Sequence, residues 1–167
     1  MSWSLKTIIT ELLRMTDDPR KGLPEELFLF VSSIAPIINV DLLIKNEQNH
    51  TLLTWRDDGY YPPGWHVPGG IIRYKETIAE RVKAVAKNEL GAAVEFNPVP
   101  LAMNEVIHDT RRERGHFISL LYQCGLVTQP DESLRCKSNS PKPNEWMWHR
   151  SCPANMIYVH EMYREFI

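Results

Sequence analysis

The stretch "GWHVPGGIIRYKETIAERVKAVAKNELG", residues 64–91, carries one carboxylate where helix chemistry disfavours it. Thr77 suits an N-cap and Glu80 follows three residues on, so "TIAE" reads as a capping box that opens a helix over 77–90. At roughly 100° per residue, Ile78, Val82 and Val85 form one stripe, and Glu89 falls within about 40° of each. Glu89 also stands in the last turn, where the helix dipole repels an anion. A half-buried acid there needs a cation. An arginine would serve, as would water if the helix end frays. The alternative that carries chemistry is a hard divalent cation, which prefers carboxylate and backbone carbonyl oxygens. Pro68, Gly69 and Gly70 precede the helix and let the backbone pass close to a ligand.

Other residues offer chemistry with less specificity. Asp41 is the only charge in the apolar run from Ile34 to Ile44, which suits either a buried, hydrogen-bonded acid or a site residue. Arg56 follows a strand-like run and opens the loop "DDGYYPPG", where a solvated arginine is the ordinary outcome. Tyr60, Tyr61 and Trp65 could stack on a base or sugar, or cover core. His149, His116 and Glu145 are candidate general bases, and histidine titrates near neutrality as that role requires. His66 could line a pocket beside "VPGG". His50 and His160 read as ordinary turn and surface-helix residues.

The elements that must position these groups follow from periodicity and breakers. "SLKTIITELLRM" has helical spacing and ends at "TDDPRKG"; "LPEELFLFVSSI" is a second helix with Pro24 in its first turn. "IINVDLLIKN" and "TLLTWRD" are strand-like around the polar turn "NEQNH" and read as a hairpin. "WHVPG" and "IIRY" are short strands around the double glycine. "AVEF", "LAMNEVIHD", "HFISLLYQCGLV" and "EWMWH" follow as strands, and "PANMIYVHEMYREF" as a closing helix. Strands mixed with a few helices in a chain this size imply an α/β sandwich.

Composition narrows the function classes. The chain has 167 residues, enough for one domain with a substantial core, and is 43% hydrophobic and 24% charged. A net charge of −2 gives no general attraction to nucleic acid or to an anionic membrane. No apolar run approaches a membrane span. Cys124, Cys136 and Cys152 are widely spaced and odd in number, which suits free thiols in a cytoplasmic protein.

Residues 64–92 resemble the Nudix hydrolases, whose box runs G-x5-E-x7-R-E-U-x-E-E-x-G-U, with U aliphatic. Gly70 and Glu76 match its opening, and Glu89, Leu90, Gly91 and Ala92 its close. The middle departs: Ala84, Val85 and Asn88 stand where the box has arginine and two glutamates. This reduced box is similar to that of the GDP-mannose mannosyl hydrolases, and the likeness runs from about Leu23 to Gly91. It implies an α/β fold, a Nudix-type α/β/α sandwich with a mixed β-sheet, here with two extra N-terminal helices. Residues 1–167 would form one domain, with 1–34 as the helical extension and 64–92 as the loop–helix–loop.

The same resemblance implies the chemistry. Gly69, through its carbonyl, and Glu89 would hold one magnesium or manganese ion. Arg56 would stabilise the leaving diphosphate, and Asp41 would contribute to the site. Arg73, two residues beyond Ile71, would replace the arginine the family has directly after "PGG"; of the aromatics named above, Tyr61 is the candidate substrate contact. The family's loop histidine has no match in "SNSPKPNEWMW", which leaves His149 or His116 as base. The implied reaction is hydrolysis of a GDP-mannose-like nucleotide sugar to sugar and nucleoside diphosphate; the two N-terminal helices beyond the core suggest a homodimer. The alternatives are attack at phosphorus of another nucleoside diphosphate derivative, and an inactive Nudix-fold binding module.

Overall fold

The computed structural model describes residues 3–167. Two helices come first, α1 (Leu5–Met15) and α2 (Glu25–Ser32). Strands β1 (Ile37–Ile44), β2 (Thr51–Arg56), β3 (Gly64–His66) and β4 (Gly69–Ile71) lead into helix α3 (Ile78–Leu90). Strands β5 (Val94–Phe96), β6 (Ala102–Ile107), β7 (His116–Leu126) and β8 (Trp146–His149) follow, and a 3₁₀ helix, Tyr158–Phe166, closes the chain.

The strands form two sheets. The larger is mixed: β1 runs parallel to β7, while β4 pairs antiparallel with the free side of β1 and β5 and β6 with the free side of β7. The smaller is antiparallel, in the order β3-β2-β8. The expected hairpin does not form. After a single bridge, Lys45 to Thr51, β1 and β2 part into different sheets. Strand β1 is covered on both sides, which explains its near-continuous apolar run. Val40, Leu42 and Ile44 pack with Val82, Val85, Ala86 and Leu90 of α3. Leu43 packs oppositely, with Leu53, Trp65, Val67, Leu121 and Tyr163 of the C-terminal helix. Helix, sheet and helix thus make the expected sandwich.

Helix α3 forms for local reasons. Thr77 accepts the Glu80 N–H while the Glu80 carboxylate accepts the Thr77 N–H, a complete capping box. Gly91 ends it in the left-handed conformation, at φ 61°. Arg81 is buried and holds Glu76 through two bonds of 2.8 Å, which ties the loop before the helix to its first turn. A Cβ on Gly70 would approach Val85 Cγ2 to 2.9 Å, so α3 packs against β4 only because that residue is glycine.

Val85 is 3% exposed within this contact. Val85→Glu would restore a family carboxylate on paper, but buries an unpaired charge. The expected outcome is a loss of about 3 kcal/mol or more in unfolding free energy, with no gain in metal affinity. Chemical denaturation checks the first and a magnesium titration the second. Tighter metal binding at unchanged stability would contradict the packing.

Candidate active site

Helix α3 delivers Glu89 to the edge of β4. Its carboxylate receives the Gly69 N–H at Oε1 (3.1 Å) and lies 3.0 Å from the Thr54 hydroxyl at Oε2. No arginine touches it. Leu42 N–H bonds Pro68 O and Ile72 N–H bonds Ile38 O, so Asp41 and Gly69 face each other as a non-hydrogen-bonded pair. Gly69 therefore turns both its N–H and its C=O away from β1, out over the sheet edge where Glu89 lies. The same pairing brings side chains close, and a Cβ on Gly69 would land on the Asp41 carboxylate. Glycine is required there.

Asp41 is 2% exposed and accepts the Tyr163 hydroxyl at 2.7 Å. Burial raises its pKa to about 6, against the hydrogen bonds of Tyr163 and Ser119 and the charge of Arg56. Burial likewise raises Glu89 to about 7; the Thr54 and Gly69 bonds oppose this, and the nearby Asp41 charge adds to it. Both carboxylates line a cavity of about 410 Å³, together with Gly69, Arg56, Tyr61 and His66. That size suits a small-molecule ligand.

Two histidines stand beside these acids in opposite tautomers, both set by Val67. His66 Nδ1 is 2.8 Å from the Val67 carbonyl, which can only accept, so Nδ1 carries the hydrogen and Nε2 faces Thr54 Oγ1 at 3.0 Å as a lone pair. His160 Nδ1 accepts the Val67 N–H at 3.1 Å, which leaves its hydrogen on Nε2. Burial lowers His66 to about 4 and His160 well below its usual value, so both stay neutral. Thr54 has one hydrogen for two acceptors. If Glu89 is protonated it donates to Thr54, Thr54 donates to His66, and every group is satisfied. If Glu89 is ionised, Thr54 serves it and His66 Nε2 loses its donor.

Arg56, at the end of β2, is held by Asp58 through bonds of 2.5 and 2.7 Å and lies 5.0 Å from the Tyr61 ring. Burial raises the Asp58 pKa, but the Arg56 bonds, the Tyr60 N–H and the charges of Arg56 and Arg114 outweigh it and hold the carboxyl below its usual range.

Several sequence expectations meet a different arrangement. His149 is not on the cavity: it is buried edge-on against Trp65 at 4.6 Å, and burial lowers it to about 4. His116 lies apart on β7, 3.2 Å from Glu105. Arg73 is exposed and outside the cavity, because β4 ends at Ile71 before reaching it. Tyr61 lines the cavity but is 7% exposed, with Arg56 and Arg111 at 5.0 and 4.6 Å from its ring, so it braces arginines and has little free surface for stacking. Trp65 is core. His160 is buried, not a surface residue. His160, Tyr163 and Arg114 were not expected at the site. The first two are three apart, which in a 3₁₀ helix places them on one face. Arg114 sits in "TRRERG", which has no periodicity to mark it.

The donor set suits one hard cation. Glu89 and the Gly69 carbonyl are oxygen ligands of the right kind, and no group of three His, Cys, Asp or Glu side chains able to hold a metal occurs among the described residues. No described helix is long and apolar enough to cross a membrane.

No protein-family model matches the chain. It is 29% identical over 122 residues to the low-salt glycan biosynthesis protein Agl8 of Haloferax volcanii, covering 71% of this chain and 75% of that protein. Its fold is similar to a MutT Nudix hydrolase from Burkholderia pseudomallei at a TM-score of 0.63, with 19% identity over 80% of this chain and 98% of that one. It is similar to a UDP-X diphosphatase at 0.57, with 15% identity over 96% of this chain and 74% of that one. The chain has the Nudix hydrolase fold, as the resemblance over residues 64–92 implies.

The carboxylate geometry gives a pH-dependent outcome. With a pKa raised from 4.5 to about 7, Glu89 binds more proton in the folded state between those values, so its contribution to stability is full below about 4.5 and lost as pH rises through 7. Glu89→Gln mimics the protonated form: its amide oxygen takes the Gly69 N–H and its amide nitrogen donates to Thr54. The metal-free variant is expected to exceed wild type in stability by up to about 3 kcal/mol at pH 8 and to match it near pH 4.5. Urea unfolding in chelator at both values checks this. A variant less stable than wild type at pH 8 would contradict the burial of an ionised Glu89.

Proposed function

We propose that the chain is a divalent-metal-dependent hydrolase of a nucleoside diphosphate linked to a sugar, of the GDP-mannose type. The observation that carries this reading is the convergence of Glu89, the outward-facing Gly69 backbone, Asp41 and Arg56 on one cavity. Glu89 and the Gly69 carbonyl would hold a magnesium or manganese ion. Once bound, the ion neutralises diphosphate charge. Arg56 stabilises charge on the departing diphosphate, because its guanidinium is held at the cavity by Asp58 and Tyr61.

A base must take the proton of the attacking water. His149 and His116 lie off the cavity, His66 turns its lone pair to Thr54, and His160 presents N–H. Asp41, held in place by Tyr163 and lying beside Gly69, is the carboxylate we assign to that role. A single box carboxylate free for metal, with Glu76 held by Arg81 and Val85 in the core, favours attack at the sugar's anomeric carbon over multi-metal attack at phosphorus. The glycan-biosynthesis relative supports a sugar-linked substrate. The second reading, attack at phosphorus, is favoured by the fold neighbour described as a UDP-X diphosphatase. The homodimer rests on α1, which buries no residue and exposes Leu5, Ile9 and Leu13.

Turnover of a panel of nucleotide sugars with magnesium in oxygen-18 water tests the reaction. Label in released free sugar, with unlabelled nucleoside diphosphate, is the expected result. Label in a nucleoside monophosphate or sugar phosphate would transfer the assignment to phosphorus attack. No turnover of any member would overturn the substrate class.

A further inference from the structure

Helix α2 belongs to the N-terminal extension, yet its residues reach both loops that roof the cavity. Glu25 accepts the Tyr60 hydroxyl at 3.1 Å, and Ser32 Oγ accepts the Arg114 N–H at 3.0 Å. The Arg114 guanidinium lies 4.0 Å from the Tyr60 ring centroid and 5.7 Å from that of Phe28. Arg114 is in the left-handed region, at φ 53°, which an L-residue adopts only when its surroundings impose it. Ser32 and the two rings are those surroundings.

This fixed arginine lines the cavity, yet its guanidinium has no hydrogen bond or ion pair with any described residue. Its Nε is buried with no partner at all. A buried N–H left unsatisfied costs free energy, and it costs more on a charged group. Stacking on tyrosine compensates the cation in part but satisfies none of the in-plane donors. The other buried or half-buried arginines near the site have oxygen partners: Arg56 has Asp58, Arg81 has Glu76 and Arg111 has the Tyr60 carbonyl. Asp58 lies on the same cavity between the charges of Arg56 and Arg114, and bonds only the former. Asp58 thus answers the charge of Arg56, while the in-plane donors of Arg114 are left for another anion.

We propose that Arg114 is an anion-binding residue of the cavity, donating in-plane N–H groups to substrate phosphate oxygens alongside Arg56, and that helix α2 holds it in position. The proposal rests on the nucleoside-diphosphate reading of the site. Planar guanidinium geometry matches phosphate oxygens, whereas a lysine at the same place would supply charge without the fork or the stacking.

Binding of inorganic pyrophosphate in magnesium, measured by calorimetry on the full chain, provides the test. Arg114→Met is expected to weaken binding tenfold or more at an unchanged melting temperature, Arg114→Lys to recover only part of it, and Ser32→Ala to weaken it several-fold through the lost anchor. Arg56→Met reports on the underlying site. If Arg56→Met loses binding while Arg114→Met stays within twofold of wild type, the Arg114 inference is overturned and the functional reading stands. If wild type itself does not bind magnesium pyrophosphate, both are overturned.

Discussion

The site depends on how a carboxylate is kept in a place where it loses most of its water. Glu89 has two donors within hydrogen-bonding distance, the Gly69 N–H and the Thr54 hydroxyl, and neither carries charge. Asp41, on the same cavity, adds repulsion. Such a group settles as a protonated acid or beside a cation. The Thr54–His66 pair fits the first state, since a hydrogen donated by Glu89 passes its benefit along to Nε2. The outward-facing Gly69 carbonyl fits the second. On the proposed reading, proton and metal are alternatives at one position.

The surrounding architecture follows from that requirement. The capping box fixes where α3 starts and Gly91 where it stops, so Glu89 arrives at the sheet edge in its last turn. Gly69 leaves room for Asp41, Gly70 leaves room for Val85, and each contact sets the depth of β4 against its neighbours. Asp41 and Glu89 reach the cavity from β1 and α3, while Arg56 at the end of β2, with its partner Asp58, and Arg114 on its loop are braced by Tyr60, Tyr61 and α2. A diphosphate bridging the two sides would meet cations from both, once a metal stands at the acidic one.

What was legible in the sequence is what local rules decide. The helix at 78–90 was readable because its cap, stripe and terminal glycine lie within one stretch. That Glu89, Gly69, Asp41 and Arg56 share one cavity agrees with a reading made from a spaced motif, a charge in an apolar run and, for Gly69 and Arg56, the family resemblance. The hairpin was misread because a polar turn between two strands fits equally a pair that separates after one bridge. The histidines were misread because their roles depend on tertiary placement: His149 follows a strand that turns into core, and His160 sits in a 3₁₀ helix whose three-residue period hides it from a 3.6-residue reading. Arg114 carried no sequence signal, since its position is imposed by contacts to residues 28, 32 and 60.

The central claim is that Glu89 and the Gly69 carbonyl hold one hard cation. Manganese binding followed by electron paramagnetic resonance, on wild type and Glu89→Gln at pH 8, addresses it most directly. The account predicts one manganese per wild-type chain and none on the variant at the same concentrations. Two or more ions per wild-type chain, or a single ion bound equally by the variant, would contradict it.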